Sequence, residues 1–299
     1  MGLGGLGAEG EKGNGGNLSL SFADLDGDGY SDLVLFSRRV LHIFRNDKGK
    51  RFVEVSDYMG KDQPKPEGGS LGLTIGDYDN DGDMDIYVAS MNLLLRNDGN
   101  FKFTDVTESA GLSIINQHKG GYGTVFVDWN NDGWLDIYMA NSFFEVFESN
   151  GNGTFTNKTG AIGLDVYGTH GFNFADLDND GDLDFYATGW GKFPSAMLRN
   201  NFDDGNSISV LVEGKQTNRA GVGAKVRVYT SGDKSKRKLL GYREVRAGGG
   251  SMYSGETLQQ HFGVPKGKPV TVEVFFPVSG KEVVLEDVKA YQKLKVIEP

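Results

Sequence analysis

One nine-residue pattern, D-x-D-x-D-G-x-x-D, constrains this chain more than any other feature. It reads DLDGDGYSD at 24–32, DYDNDGDMD at 77–85 and DLDNDGDLD at 176–184, with a near match, DWNNDGWLD, at 128–136. Successive copies start 53, 51 and 48 residues apart. With each residue type at roughly 5–7% abundance, a chance match arises about once per million positions. The chain is therefore built of repeats, and periods of about 20–50 residues indicate a solenoid, a propeller or an array.

The flanks of each copy are alike. Before it stands an alternating apolar stretch: LSLSFA, LGLTIG, GTVFVD or GFNFAD. After it comes a second: LVLF, IYVAS, IYMAN or FYATG. A hairpin-like pair follows, as in LLLRNDGNFKFTDV at 93–106 with Asn97-Asp98-Gly99-Asn100 as the turn, and FESNGNGTFTNKT at 147–159 repeats the plan. Four short strands per unit at a period near 50 predict an all-β fold, a β-propeller built from four loop repeats.

Crowded carboxylates repel one another, so the loops need a purpose. In a tight turn, oxygens at positions 1, 3, 5 and 9 converge on one point. Glycine at position 6 permits the turn, and the carbonyl at position 7 can join. Six or seven oxygens without nitrogen or sulfur suit Ca²⁺; Mg²⁺ dehydrates reluctantly and fits less well. The expected ligands are Asp24, Asp26, Asp28, the Tyr30 carbonyl and Asp32 in the first loop. The second offers Asp77, Asp79, Asp81, the Asp83 carbonyl and Asp85; the third offers Asp128, Asn130, Asp132, the Trp134 carbonyl and Asp136. The fourth offers Asp176, Asp178, Asp180, the Asp182 carbonyl and Asp184, the Asp182 side chain being a bystander. Asn130 keeps an oxygen but loses a charge, which predicts the weakest site there. The bland alternative, solvated polar turns, does not call for four converging carboxylates. Ca²⁺ at about a hundred times its dissociation constant adds roughly 2.7 kcal/mol per site. Four such sites rival a domain's typical total of about 5–15 kcal/mol. Four Ca²⁺ would also move the net charge from −10 to −2.

Charge divides the chain. Residues 1–205 hold 15 Lys/Arg against 32 Asp/Glu, a net −17, whereas residues 206–299 hold 16 against 9, a net +7. We therefore expect a glycine-rich lead-in at 1–17, the repeats at 18–205 and a second domain at 206–299. The last stretch is also β-rich, with SISVLVEG, AKVRVYT, LLGYREV, VTVEVFF, EVVLEDV and KLKVIE, and predicts a small sandwich packed on the propeller. Its basic loop, Lys234, Lys236, Arg237 and Lys238, is expected to be a solvated turn, or else to face the acidic repeats or an anionic glycan. No apolar run reaches eighteen residues, so no membrane span is expected. The absence of cysteine excludes disulfides and thiolate chemistry. No nucleic-acid partner is expected. GLGGLGAEGEKGNGGN after Met1 reads as an initiator methionine on a trimmed chain.

These loops and flanks, over roughly 18–200, resemble the FG-GAP/VCBS repeats of integrin-α-type propellers. NRAGVGAKVRVY (218–229), REVRAGGGSMYSG (243–255), LQQHFGV (258–264) and VEVFFPVSGKEV (273–283) resemble the ASPIC/UnbV domain. Phe276-Pro277-Val278-Ser279-Gly280 departs from that family's Trp-Pro-Ser-Gly-like corner by an aromatic swap and one extra residue. The order of the two parts is similar to the cartilage acidic protein family and its bacterial relatives. The resemblance implies a secreted, periplasmic or surface protein with about four Ca²⁺ in its loops and a role in adhesion or in binding a protein or glycan. Integrin-type propellers have seven blades and only four loops stand here. A truncated chain, a smaller ring or completion by the C-terminal strands would each reconcile the two.

Other motifs carry less. GLGGLG (2–7) lacks the strand and helix of a dinucleotide site, and GGSLG (68–72) lacks the strand–Ser–helix order of a nucleophile elbow at Ser70. Asn17, Asn152 and Asn157 head glycosylation sequons. The stretches after each repeat's second strand carry Arg38, Arg39, Phe143, Phe144, Trp190 and Phe193, which either form a binding surface or plug seams between blades. The alternative function is an enzyme with a site at the junction of the two domains. His118, His170 and the acidic groups near residue 205 are its candidates, although no fixed spacing links them.

Overall fold

The computed structural model describes residues 18–37, 40–55, 72–112, 122–140, 144–160, 169–189, 191–202, 205–248 and 257–299. Each repeat forms an antiparallel sheet whose strands lie in chain order. The first comprises β1 (Leu18–Ala23), β2 (Asp32–Ser37), β3 (Val40–Asn46) and β4 (Phe52–Glu54). The second comprises β5 (Leu73–Gly76), β6 (Asp85–Val88), β7 (Leu93–Asn97) and β8 (Phe103–Asp105). The third holds β9 (Gly123–Val127), β10 (Asp136–Ala140), β11 (Phe144–Ser149) and β12 (Phe155–Asn157). The fourth has three strands among the described residues: β13 (Thr169–Ala175), β14 (Asp184–Gly189) and β15 (Ala196–Leu198). Four strands per repeat therefore describe three sheets and not the last. Where the others turn back through Asn46, Asn97 or Ser149, the chain beyond β15 runs on to Asn206, whose carbonyl accepts the Val264 N–H of the next domain at 2.6 Å.

Strand alternation decides how the sheets stack. Phe22, Ile75, Phe126 and Phe174 occupy one repeat position, two residues before each loop. Ile75 packs into a core with the first sheet, Phe126 with the second and Phe174 with the third. The opposite face is set by Val34, Tyr87, Tyr138 and Tyr186, two residues after each loop. The first three are buried against the following sheet. The first strands run side by side, β1 next to β5, β5 next to β9 and β9 next to β13. The result is a propeller-like arc of four blades whose seams are apolar cores.

The remaining strands are β16 (Ser207–Glu213), β17 (Lys225–Thr230), β18 (Leu239–Glu244), β19 (Gln259–Gly263), β20 (Val270–Phe276), β21 (Lys281–Val288) and β22 (Gln292–Ile297). They make two sheets, ordered β19-β16-β22 and β18-β17-β20-β21, over a valine-rich core. β16 and β22 pair in parallel; the other pairings are antiparallel. Phe276 ends β20 fully buried, and Gly280, at φ 68°, donates to its carbonyl at 2.8 Å. Among the described residues no strand of this sandwich pairs with a blade, so the C-terminal strands do not complete the arc.

Candidate metal centres

Each nine-residue loop joins the first and second strands of its blade, and its backbone is the same in all four. Positions 4 and 6 both take positive φ: Gly27 and Gly29, Asn80 and Gly82, Asn131 and Gly133, Asn179 and Gly181. Glycine and asparagine are the residues that adopt this conformation at least cost. The turn folds the chain back so that the aspartates meet.

The aspartate at position 9 ties the loop to its blade. Asp32 accepts Leu25 N–H at 2.9 Å and Asn46 N–H at 2.7 Å, and Asp85 accepts Tyr78 N–H at 3.1 Å and Asn97 N–H at 2.8 Å. Asp184 accepts Leu177 N–H at 2.9 Å and Asn200 N–H at 3.0 Å, and Asp136 accepts Ser149 N–H at 2.7 Å. Position 1 gathers the loop's own amides. Asp24 accepts from Asp28 and Gly29, Asp77 from Asp81 and Gly82, and Asp128 from Asp132 and Gly133.

Carboxylate oxygens converge within 4.8 Å in three loops: Asp24, Asp26 and Asp32; Asp77, Asp79 and Asp85; Asp176, Asp178 and Asp180. Asp28 and Asp81 are exposed at position 5, each with Oδ1 accepting the position-7 N–H. In the third loop Asn130 Nδ2 donates to Asp132 Oδ2 at 3.1 Å. Burial pushes Asp32 to about 7, Asp77 to about 8, Asp79 to about 6 and Asp128 to about 7; neighbouring carboxylates push the same way. Asp85 and Asp136 are driven well above the usual range for the same reasons. Asp79 Oδ1 and Asp176 Oδ1 are buried without a hydrogen-bond partner. An all-oxygen donor set, like charges held out of water and unpartnered oxygens fit a hard divalent cation.

The loops also support one another. Asn97 Nδ2 donates to the Leu25 carbonyl of the first loop, Asn80 Nδ2 to Gly133 of the third and Asn200 Nδ2 to Trp129 of the third. The Asp182 side chain is no idle bystander: fully buried, it accepts Asn131 Nδ2 at 2.7 Å across the seam.

The sandwich sits on this loop face. Lys225 Nζ contacts Asp24 in a buried ion pair, and Glu244 accepts Asp24 N–H at 2.9 Å. Arg246 reaches the Ile75 carbonyl at 2.6 Å, and Gly263 N–H donates to Asp128 at 2.8 Å. His261 Nε2 donates to Asn131 Oδ1 at 2.7 Å; burial first, then Arg243, lowers its pKa to about 4, so the ring is neutral. Lys293 Nζ lies 2.8 Å from Asp176 and 2.5 Å from Asn179, and Ser207 Oγ donates to the Gly181 carbonyl. A cavity of about 100 Å³ remains at the junction, lined in part by Asp128, Arg243, Glu244, Arg246 and His261.

The basic loop is the solvated turn and does not face the blades. Lys234 and Lys236 are exposed, and Arg237 bridges Glu273 and Glu286 within the sandwich. Lys225 and Lys293 carry the charge contact with the blades instead. A signal for Lys225 existed: in KVRVY the valines alternate with Lys225 and Arg227, which puts both cations on the face away from the core. Nothing local marks Lys293.

Of the remaining candidates, Phe144 is buried in the third seam, whereas Phe193 is exposed. Asn152 and Asn157 lie on the surface. Arg38, Arg39, Phe143, Trp190, Ser70, His118, Asn17 and the acidic pair at 203–204 lie outside the described residues, as does the side chain of His170.

Comparison with known proteins agrees with the domain order. A family model described as FG-GAP-like repeat matches residues 12–88 and 140–187, and one described as ASPIC and UnbV matches 214–299. The gap contains the third loop, where Asn130 and Trp134 break the acidic pattern. Human cartilage acidic protein 1 is 26% identical over 81% of this chain and 37% of its own length; the mouse protein is 25% identical over 81% and 38%. The chain thus spans less than two-fifths of these relatives. A solved structure from a study of an Agrocybe aegerita lectin recognising non-reducing terminal N-acetylglucosamine covers 93% of this chain and 81% of its own. At 17% identity and a TM-score of 0.39, it carries no argument. Two family matches, falling where the blades and the sandwich lie, make this chain an FG-GAP-like repeat protein with an ASPIC and UnbV domain behind the repeats.

Proposed function

We propose that the chain is a calcium-stabilised binding module of the extracellular or periplasmic space or the cell surface, recognising a protein or glycan through the blade face opposite its metal loops. The observation that carries this reading is the position of the sandwich. It covers the loop face of the arc, through Lys225, Arg246, Gly263 and Lys293. Each second strand runs away from its loop, so the strands β2, β6, β10 and β14 end on the other face. Phe193 is exposed there with Lys192 Nζ 5.6 Å from its ring centroid. Exposed aromatics on a rigid scaffold suit ligand contact.

Ca²⁺ would be held by Asp24, Asp26 and Asp32, by Asp77, Asp79 and Asp85, and by Asp176, Asp178 and Asp180, with Asp128, Asn130 and Asp132 as the weaker third set. Its chemistry there is charge neutralisation. The protein itself fixes the donors through positive-φ turns and position-9 staples. The second reading is an enzyme with a site at the junction, where cavities of about 100 Å³ and about 320 Å³ lie and the larger just reaches the roughly 300–1,000 Å³ of small-molecule sites.

A thermal melt with excess Ca²⁺ and with chelator tests the metal. With four sites at roughly 2.7 kcal/mol each, chelation should lower the midpoint by on the order of 10 °C or more. An unchanged midpoint would end the calcium reading. Phe193→Ala should then weaken any protein or glycan found by array screening while leaving the melt unaltered.

A further inference from the structure

The sandwich meets the position-1 aspartates of the loops in different ways. It brings the Lys225 ammonium to Asp24, the Gly263 N–H to Asp128 and the Lys293 ammonium to Asp176. Asp77 in the second loop accepts the amides of Asp81 and Gly82 instead. A neutral amide can stay on a carboxylate that also holds a dication. An ammonium on that carboxylate is repelled by the dication, more strongly where less water surrounds the pair. The two lysines differ in what they can then do. Lys293 has a side chain 42% exposed and can turn into water while its strand stays in place. The side chains of Lys225 and Asp24 are only 4% and 2% exposed. Lys225 stands on β17, paired with β18 on one side and β20 on the other, so its ammonium reaches water only if that sheet draws back. Its cross-strand partner Glu244 accepts the Asp24 N–H at 2.9 Å, so the sandwich grips Asp24 by side chain and backbone together. Both Asp24 oxygens are in use: Oδ1 accepts Asp28 N–H at 3.0 Å, and Oδ2 accepts Gly29 N–H at 2.7 Å as well as the ammonium.

On the reading that the loops hold Ca²⁺, on which this rests, we propose that Lys225 competes with calcium for Asp24, so that filling the first loop loosens the sandwich from the blades. The ammonium is a built-in counterion that keeps the domains together while the loop is empty. The first loop therefore fills after the second, and the docked sandwich sets the calcium level at which it does. Coupling between two sites is reciprocal and is typically about 5–150-fold. The factor by which docking weakens calcium is the factor by which calcium weakens docking.

Calcium calorimetry on the full chain tests the coupling. Lys225→Met should tighten one site by about 5–150-fold and leave the others unchanged, and adding Asp26→Asn should abolish the tightened site. Amine acylation read by peptide mass spectrometry follows docking in the wild type, where no variant has to fold. Lys225 should be protected in chelator and react at least about fivefold faster in saturating Ca²⁺. The exposed Lys234 should react equally in both conditions. Calcium heat with an unmoved Lys225→Met isotherm overturns the proposal. So does a Lys225 that stays protected once calcium is bound, since the ammonium then shares Asp24 or turns to Glu244 with the sandwich in place. Absence of any calcium heat overturns it together with the calcium reading, which separates the two failures.

Discussion

The second and fourth loops are nearly the same peptide, DYDNDGDMD and DLDNDGDLD, yet they sit in different electrostatic settings. In the second, Asp77 and Asp85 are fully buried, Asp79 keeps an unpartnered oxygen, and three carboxylates are pushed upward by burial. In the fourth, Arg199 lies 2.5 Å from Asp178 and 3.3 Å from Asp180, while Lys293 lies 2.8 Å from Asp176. Burial pushes Asp180 up, but hydrogen bonds from Asp182 N–H and Arg199 outweigh it and leave it lowered. The motif supplies the donors; how far they are neutralised before any metal arrives depends on residues far along the chain. The first loop resembles the fourth in this respect, because Lys225 faces Asp24.

The largest expected effect comes from Lys225→Met. Lys225 and Asp24 are both buried, and losing one partner of a buried pair costs about 3–5 kcal/mol. Urea unfolding in chelator should show that loss, and saturating Ca²⁺ should shrink it, since the metal replaces the missing charge. An equal loss in both conditions would make Asp24 a docking residue for the sandwich, and the first loop would leave the metal series.

Asp79→Asn and Asp178→Asn probe the comparison directly. In excess Ca²⁺, Asp79→Asn should lose most of one site's contribution, roughly 2.7 kcal/mol at a hundredfold excess over the dissociation constant. In chelator it should be at least as stable as wild type, because one of several crowded carboxylates is gone. Asp178→Asn should show the opposite sign in chelator, having lost its Arg199 partner. Matching signs for the two variants would mean that surroundings do not distinguish these loops.

The repeat period, the four-strand plan and the all-β class were legible because alternation and turn residues are local. Leu33, Ile86, Ile137 and Phe185 recur at one position, so the seam faces could be read by superposing the repeats. The loop donors were legible for the same reason. The cations were not. Lys225 and Lys293 meet Asp24 and Asp176 from 201 and 117 positions away, and only docking of the sandwich unites them. That the last blade has three strands among the described residues was equally hidden. Asn200-Asn201 looks like the other hairpin starts, and what diverts it is the pairing of Asn206 with Val264 in the next domain.

A carboxylate satisfied by the protein alone gives the control. Glu298 is buried and accepts the N–H groups of Lys215, Gln216 and Thr217 at 2.6–2.8 Å, with Thr217 Oγ1 at 3.0 Å. Burial raises its pKa, but the Ser279 side chain and the three backbone N–H groups prevail and bring it from 4.5 down to about 2. Since the folded value lies below the unfolded one, its stabilisation is complete above about pH 4.5 and is lost as pH falls toward 2. Glu298→Gln should therefore be destabilised at pH 7, converge on wild type as the pH drops through that window, and ignore Ca²⁺ throughout. A calcium-dependent difference would mean that metal stabilisation spreads beyond the loops, and the loop-by-loop comparison would need a common origin.

Arg199→Ala should give the smallest change in stability and the sharpest reading of the fourth loop. Its side chain is largely exposed, so the ion pairs with Asp178 and Asp180 contribute no more than about 1 kcal/mol. Yet the guanidinium occupies the oxygens that a metal needs. Without it, the affinity of the fourth loop for Ca²⁺ should rise by up to several-fold, visible as a change in the weaker part of a calorimetric isotherm, with the second loop unaffected. If the isotherm does not move, Arg199 swings aside at negligible cost and the two loops are equivalent once metal is present. If it moves as expected, the arginine that softens charge repulsion in the metal-free protein is the same group that holds calcium off.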